Sequence, residues 1–401
     1  MSRPHALVSG ASIAGLSTAY WLRRTGWDVT VLERAEKFRD GGQNVDVRGV
    51  AREVLQRMDL FAAVKTLNTT ETGTVIVDAD GRVVSELPFG GDDGATAELE
   101  VLRGDLARVI LEHLPDGVEV VYGDTVAEVG EPSGSAGTVS VRTARGRELE
   151  CDLVVVAEGV RSATRDRLLR DAVDERQLGV NMVFGTIPRL PRDDDRWRWH
   201  NALGGRQIHL RPDNRGTIRA ILSYASEEDL SHLGRAEALA AVRRHYAGAG
   251  WESIRILDAL DSSDDVYIDH LTQVRMSTWH RNRVVMAGDA GWCVTPMGGG
   301  GASLALTSGY VLAASLTHHP DDIERALAAY EEWMRPLVDD VQSIPSLLVR
   351  FAYPRTRLGL ALRHIADRAI GLPLFRPLAA RLTSVAETAR VLPRVEVTDA
   401  T

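Results

Sequence analysis

The chain has 401 residues, with 47 Lys or Arg against 56 Asp or Glu and a formal charge of −9. That length accommodates two or three domains, while the acidic balance, with no basic amphipathic tract, excludes a nucleic-acid surface and stable membrane association. Its two cysteines, Cys151 and Cys293, fall in separate motifs and suggest neither a disulfide framework nor a metal site; with no signal segment and no membrane-length apolar run, the expectation is a cytoplasmic protein whose partner is a small molecule.

His5 to Ser9 reads as a short buried strand, followed by Gly10-Ala11-Ser12-Ile13-Ala14-Gly15 and a helical pattern ended by Gly26. A second strand, Trp27 to Leu32, leads to Glu33, 18 positions beyond Gly15. Strand, tight turn, helix and strand, with an acidic residue about 20 positions on, is the order a dinucleotide site requires. Gly10 permits the turn, Gly15 lets helix and strand approach, and the helix N-terminus offers free N–H groups to a pyrophosphate. Ser12 replaces the middle glycine of the pattern, but it is small and can itself donate to phosphate. Arg34 is either a cofactor contact or a solvent-exposed charge. Gly41 to Gly49 (GGQNVDVRG) precedes a helical pattern, and such a polar stretch either lines a ligand or caps the helix.

Thr72 to Leu87 alternates apolar and polar residues around Asp80-Gly81, a hairpin signal. Gly90 to Ala95 reads as a loop, and a strand then enters a helix at Arg103. An arginine at a helix start opposes the dipole unless an anion or carbonyl-rich ligand is near, which makes Arg103 a site candidate. Strands follow at Val118 to Tyr122 and Thr138 to Thr143. Asp152 to Ala157 is a continuous apolar run, typical of a buried parallel strand, and it ends in Glu158-Gly159, where open α/β sheets place ligands. The plainer alternative is a strand-to-helix turn capped by Ser162.

From Leu178 to Tyr224 the pattern is β-rich, with strands at Gly179 to Ile187, Arg206 to Arg211 and Gly216 to Ser223 forming a sheet able to roof a cleft. Trp197 and Trp199, in a charged stretch, are either loop anchors or substrate contacts. Helices are expected near Arg235 to Ala247 and Trp251 to Ala259, then a strand over Asp264 to Leu271. Arg283 to Tyr310 (RVVMAGDAGWCVTPMGGGGASLALTSGY) is the most informative stretch: a short strand, Gly288-Asp289, a loop with Pro296 and four glycines, then an apolar helix. A glycine run bounded in this way marks a backbone that must approach a ligand closely or adopt positive φ. Pro320 to Val341 and Pro354 to Ile370 are helical, and the tail from Pro393 is irregular.

Taken together, these segments resemble the FAD-dependent monooxygenases of the para-hydroxybenzoate hydroxylase type, closest to tetracycline-inactivating and polyketide-tailoring members. The resemblance implies an α/β fold: a Rossmann-like FAD-binding domain (1–70, 98–177, 272–320), an inserted β-sheet substrate domain (71–97, 178–271) and C-terminal helices (321–401). It assigns Gly10, Ser12, Ile13, Ala14, Gly15, Glu33 and Arg34 to the ADP portion of FAD. Arg103 matches the family's arginine beside the ribityl chain, and Asp289, after Gly288, the residue on the ribityl hydroxyls. Glu158 and Gly159 stand in its Asp-Gly motif, with Glu for the usual Asp; Trp292 and Ser303 stand where histidine and asparagine are common. Gln43, Asp46 and Arg48 would face the flavin or substrate.

The implied chemistry is hydroxylation of an aromatic or polycyclic small molecule, with non-covalent FAD, transient NADPH or NADH, O2 and a flavin C4a-hydroperoxide. Pro296, Gly299, Gly300 and Arg48 are the implied catalytic positions, and backbone N–H groups of Gly299, Gly300, Gly301 and Ala302, with Ser303 beside them, would meet the flavin edge where charge develops. A base for a phenolic substrate is sought among His209, Tyr224 and His270, with Asp46, His209 and Tyr224 as substrate contacts. The alternatives are Baeyer-Villiger-like oxygenation, FAD-dependent reduction, or a non-catalytic FAD-binding relative. A monomer or homodimer is expected.

Overall fold

The structure, a computed structural model, describes residues 3–87, 99–133, 137–370 and 390–397. Its first sheet has His5–Ser9 at the centre, flanked by Asp28–Glu33 and Leu153–Val156, all parallel. Val118–Tyr122 extends one side; Val284–Met286 extends the other, and antiparallel His280–Arg281 closes that edge. Ala6, Leu7, Val8 and the whole of Leu153–Val156 are inaccessible to solvent. Both faces of this sheet are covered, which is why its inner strands read as unbroken apolar runs. Because the long strands are parallel, Gly10, Glu33, Glu158 and Gly288 come together along one carboxyl edge.

Two helices leave that edge and lie side by side, Ile13–Arg24 and Gly301–His318. Their approach is backbone to backbone: a Cβ on Gly309 would stand 2.5 Å from Ser17 C and Thr18 N. Ser17 Oγ donates to Leu306 O at 2.8 Å across the same contact. Within the first turn, a Cβ on Gly15 would stand 1.8 Å from Gly10 O, so only glycine lets the helix begin this close to its strand.

The second sheet runs in the order Tyr267–Met276, Val173–Pro188, Thr217–Ala225, Arg206–Pro212, Trp197–Ala202, Thr74–Val77 and Val83–Leu87. One face carries Val183, Ile208, Leu210 and Leu222 against helices Arg235–His245 and Ser253–Ser262. Side chains alternate along a strand. The opposite face therefore holds Trp197, Trp199, Gln207, His209 and Arg211, beside a smaller apolar group that includes Met182, Phe184 and Ile221. The tryptophans thus lie on a strand, not in a loop: Trp197, Trp199 and Asn201 alternate with Arg198, His200 and Ala202, a period of two that is written in the sequence.

Helix Ile323–Gln342 packs back on the first unit, and Gln342 Nε2 donates to Val274 O at 2.7 Å and Cys293 O at 3.2 Å. Strands Val126–Val129 and Glu148–Cys151, which the sequence reading did not anticipate, flank Val139–Thr143 in a small antiparallel sheet. Gly90 to Ala95 lies outside the described residues. Among the described residues no helix is long and apolar enough to cross a membrane. Gly309→Leu is expected to destabilise the protein by about 1–3 kcal/mol or more, since its side chain meets backbone that cannot give way. A lowered urea midpoint measures this; an unchanged one overturns the account of the helix contact.

Candidate active site

The glycine helix Gly301–His318 starts at Gly300, in left-handed conformation (φ 67°), after Gly299 (φ 65°). The other helix starts at Ser12. Neither first turn contains an acidic residue or receives a side-chain cap. An uncapped helix start leaves N–H groups without intrahelical acceptors and carries roughly +0.5 elementary charge. Both helices therefore present donors to the same edge. Thr295 adds strain there: its φ of 63° is foreign to a β-branched residue, and it places Pro296, exposed, in the first turn of Thr295–Gly298.

Asp289 is accessible to solvent, yet burial raises its pKa while Arg103 pulls it down. Both hold for a side chain on the floor of a cleft, which water reaches but does not surround. Arg103 reaches across to donate to Ser12 Oγ at 2.8 Å, and its own N–H is held by Gln43 O at 2.9 Å. On the facing sheet, Asp269 lies 3.6 Å from Arg161. Burial pushes Asp269 up to about 6 against the attraction of that arginine.

Glu33 and Glu158 are both engaged within the protein. Glu33 accepts from Ala11 N at 3.0 Å and Ala35 N at 2.8 Å, fixing the first turn. Glu158 accepts from Ser9 Oγ at 2.6 Å, Ser162 Oγ at 2.7 Å, Thr164 Oγ1 at 2.7 Å and Thr164 N at 3.1 Å. Four internal donors make this carboxylate a tie between two strands and helix Ala163–Leu168, which Ser162 caps. Beside it, Gly159 (φ +83°) has no atom within 4 Å of where a Cβ would stand. Arg34 is exposed, and Ile13 and Ala14 are buried in the helix.

The polar loop contains a strand, Asn44–Asp46, paired antiparallel with Glu100–Leu102 so that Asp46 faces Glu100. Ser303 fastens this loop to the glycine helix: its Oγ accepts from Arg48 N at 3.0 Å and donates to Asp46 O at 3.1 Å. Arg48 turns back onto the Asp46 carboxylate at 3.0 Å. Beyond Glu100, Arg211 reaches Glu100 at 2.9 Å and Glu71 at 3.0 Å, with its guanidinium 4.1 Å from the centroid of the Trp197 ring. Burial pushes Glu71 up to about 8, only partly offset by Arg211. Burial, then Glu100, also raises Asp46 against the pull of Arg48 and Arg211.

His209 faces the cleft side of the sheet, but burial, then Arg211 and Arg363, hold it down to about 3. Its Nδ1 accepts from Trp197 Nε1 at 3.1 Å, so it is a neutral acceptor and no base for a phenol. Tyr224 is not brought to the cleft: it lies on the opposite face, its ring 4.1 Å from that of His245 and 5.9 Å from that of Tyr246. His270 is buried, with Nδ1 3.1 Å from Asn181 Oδ1. Trp292 points into the core, 4.3 Å from Trp279 between ring centroids. A cavity of about 60 Å³ beside it, lined by Arg275, Arg335 and Gln342 among others, has room for a few waters but not for an aromatic substrate. The sequence reading missed Glu71, Glu100, Arg211, Arg161, Asp269 and the strain at Thr295.

The profile of the family described as FAD binding domain matches residues 4–343. A flavin-dependent monooxygenase of Legionella longbeachae is 31% identical over 344 residues, 83% of this chain and 85% of that protein. The chain belongs to this family of FAD-dependent monooxygenases. Uncharacterised protein Rv1260 of Mycobacterium tuberculosis is 34% identical over 347 residues, 85% of this chain and 92% of its own length. The crystal structure of tetracycline destructase Tet(51) matches with a TM-score of 0.81 at 27% identity, covering 99% of the monooxygenase and 100% of the destructase.

The residues present fit FAD. Two uncapped helix starts suit the pyrophosphate and the polar edge of a flavin, Asp289 is an accessible acceptor for hydroxyls, and Gly10 and Gly288 bring bare backbone to the edge where a Cβ would strike Ala157 O at 2.3 Å or Ala14 Cβ at 2.7 Å.

One consequence concerns pH. The Glu71 carboxyl, raised from 4.5 to about 8, stays protonated in the fold where the unfolded chain ionises. Its contribution to stability is complete below about pH 4.5 and is lost as pH rises through about 8. Glu71→Gln is therefore expected to flatten the decline of the urea midpoint across that interval. A slope equal to that of the wild type overturns the assignment.

Proposed function

We propose that this monooxygenase hydroxylates an aromatic or polyketide-like small molecule, using NADPH or NADH as a transient reductant of non-covalent FAD and one atom of O2. The observation that carries the reading is the presence of two unlike surfaces, one on each of the units built on the two large sheets. The first holds the uncapped helix starts, Asp289 and Arg103; the second is the sheet face with Trp197, Trp199 and Phe184. The likeness to a tetracycline destructase supports a polycyclic, oxygen-bearing substrate.

Bound FAD would relay the reducing equivalents of the nicotinamide and supply the oxygen chemistry; the chain supplies positions and charges. Gly10 to Gly15, Glu33 and Arg103 would hold the ADP portion and the ribityl chain, and Asp289 would bind the ribityl hydroxyls. N–H groups of Gly299, Gly300, Gly301 and Ala302, with Ser303 beside them, would stabilise negative charge on the flavin edge, a task in which one removed donor costs roughly 3 kcal/mol of barrier. Pro296 would border the flavin, and the second sheet would limit the access of water to it. The boundaries 1–70, 98–177 and 272–320 for the FAD unit, 71–97 and 178–271 for the substrate unit and 321–401 for the closing helices are part of the same proposal.

The test follows NAD(P)H oxidation across a library of phenolic polycycles, with mass spectrometry under 18O2. Product carrying one labelled oxygen supports the reading, and unlabelled product overturns it. The protein is expected to purify yellow with one FAD per chain. Asp289→Ala is expected to raise the Kd for FAD by about tenfold to a hundredfold, as for loss of a hydrogen bond to a charged group of about 1.5–3 kcal/mol. Flavin fluorescence on release measures this, and unaltered affinity overturns the role given to Asp289.

A further inference from the structure

Where the Asn44–Asp46 strand abuts the substrate sheet, three carboxylates, Asp46, Glu71 and Glu100, meet two guanidinium groups, Arg48 and Arg211. Among the described residues the acids of this cluster outnumber its cations by one. The Glu71 and Glu100 side chains are 1% and 5% exposed. A surplus charge buried to that degree costs more than keeping a proton, so a carboxyl stays protonated instead.

Hydrogen bonding shows the same shortage. Glu71 Oε2 accepts from Arg211 at 3.0 Å, and Glu100 Oε1 accepts from Asn44 Nδ2 at 2.7 Å and Thr69 Oγ1 at 2.8 Å. Glu71 Oε1 and Asn44 Oδ1, both buried, have no donor. Buried acceptors rarely go unpaired, and a proton on the Glu71 carboxyl accounts for the unpaired Oε1.

Location gives the cluster a use. Asp46 keeps 30% of its side chain accessible and hangs from Ser303 at the start of the glycine helix, so it lies between the cofactor edge and the substrate face. The groups facing it are Glu100 on the paired strand, Arg48 on its own loop and Arg211 on the sheet. Those facing Glu71 are Arg211, Glu100 and Asp46. Burial, and after it the Glu100 carboxylate, raises the Asp46 pKa against the pull of Arg48 and Arg211, which makes Asp46 a stronger base than an ordinary carboxylate, nearer the pH at which an acid–base catalyst works best. His209, already a neutral acceptor, does not compete.

We propose that Asp46 accepts the proton of a phenolic or enolic hydroxyl of the substrate, and that Glu71, linked to it through Arg211 and Glu100, carries the proton that keeps the cluster neutral. The substrate O–H bond breaks and an O–H bond forms on Asp46. The electron pair stays on the substrate oxygen and enriches the ring carbon that receives oxygen. After oxygen transfer the proton returns to the product oxygen, so none is consumed. Asp46 is the catalytic residue here and Glu71 a positioning residue. This step rests on the hydroxylase reading above.

The test uses FAD-loaded protein with 2-naphthol as the probe. At pH 7, Asp46→Asn is expected to form hydroxylated naphthol at least tenfold more slowly relative to its own rate of flavin reduction. That deficit should close as pH rises through the ionisation of the naphthol itself. A deficit that persists at high pH makes Asp46 merely structural and overturns the proposal, as does no deficit at pH 7. Infrared spectra of the resting holoenzyme read the cluster without turnover. A protonated-carboxyl stretch that shifts in D2O is expected at pH 7 and should vanish in Glu71→Gln; its absence from the wild type overturns the proposal. Should the wild type oxygenate nothing, growth of that band on naphthol binding in the wild type, but not in Asp46→Asn, leaves the proton acceptor standing and the hydroxylase reading refuted. No growth in either overturns both.

Discussion

Helices Ile13–Arg24 and Gly301–His318 approach until no side chain fits between Gly309 and the backbone of Ser17 and Thr18. Their starting ends are thereby brought side by side at the carboxyl edge of the parallel sheet, each without an acidic residue or a cap. Two helix dipoles pointing the same way at close range repel one another, a cost that a counter-charge removes. The close contact and the missing caps thus belong to one design, in which an anionic, acceptor-rich cofactor completes a field that the protein leaves open.

Charge along the cleft is sorted by end. Arg103 stands near Asp289 and Arg161 near Asp269, whereas Asp46, Glu71 and Glu100 gather around Arg211, three strands away from Asp269 in the second sheet. Burial lifts the carboxyls of Asp46, Glu71, Asp269 and Asp289 above their ordinary range. A carboxyl whose pKa is raised by burial costs less to neutralise when an aromatic ring settles beside it.

How much of this was legible in the sequence depends on whether the cause is local. The turn from Gly10 to Gly15 and the run from Pro296 to Gly301 announce themselves because a tight turn, a close approach and a positive φ each demand glycine at that very position. Strands with continuous apolar composition were equally readable. Arg211, Glu71 and Glu100 were not, since they meet only through the register of strands far apart in the chain. His209 and Tyr224 show the limit: both sit in recognisable strands, but which face looks inward is settled by helices Arg235–His245 and Ser253–Ser262 covering the other side. At Glu158 the sequence placed an acid at the right strand end, but the four donors that occupy it come from Ser9, Ser162 and Thr164. Thr295 carried no signal at all, because nothing in a threonine forecasts a positive φ.

Ser303 uses both its hydrogen and a lone pair on the backbone of the Asp46–Arg48 loop. Loop and helix start are therefore bolted together at two points less than three residues apart. A lever pinned in that way cannot swing at one end alone: any displacement that re-aims the first N–H groups of the glycine helix drags the Asp46 carboxylate with it. The gap between cofactor edge and acid cluster is thus preserved through motion, as the spacing between the jaws of a rigid calliper survives its being moved.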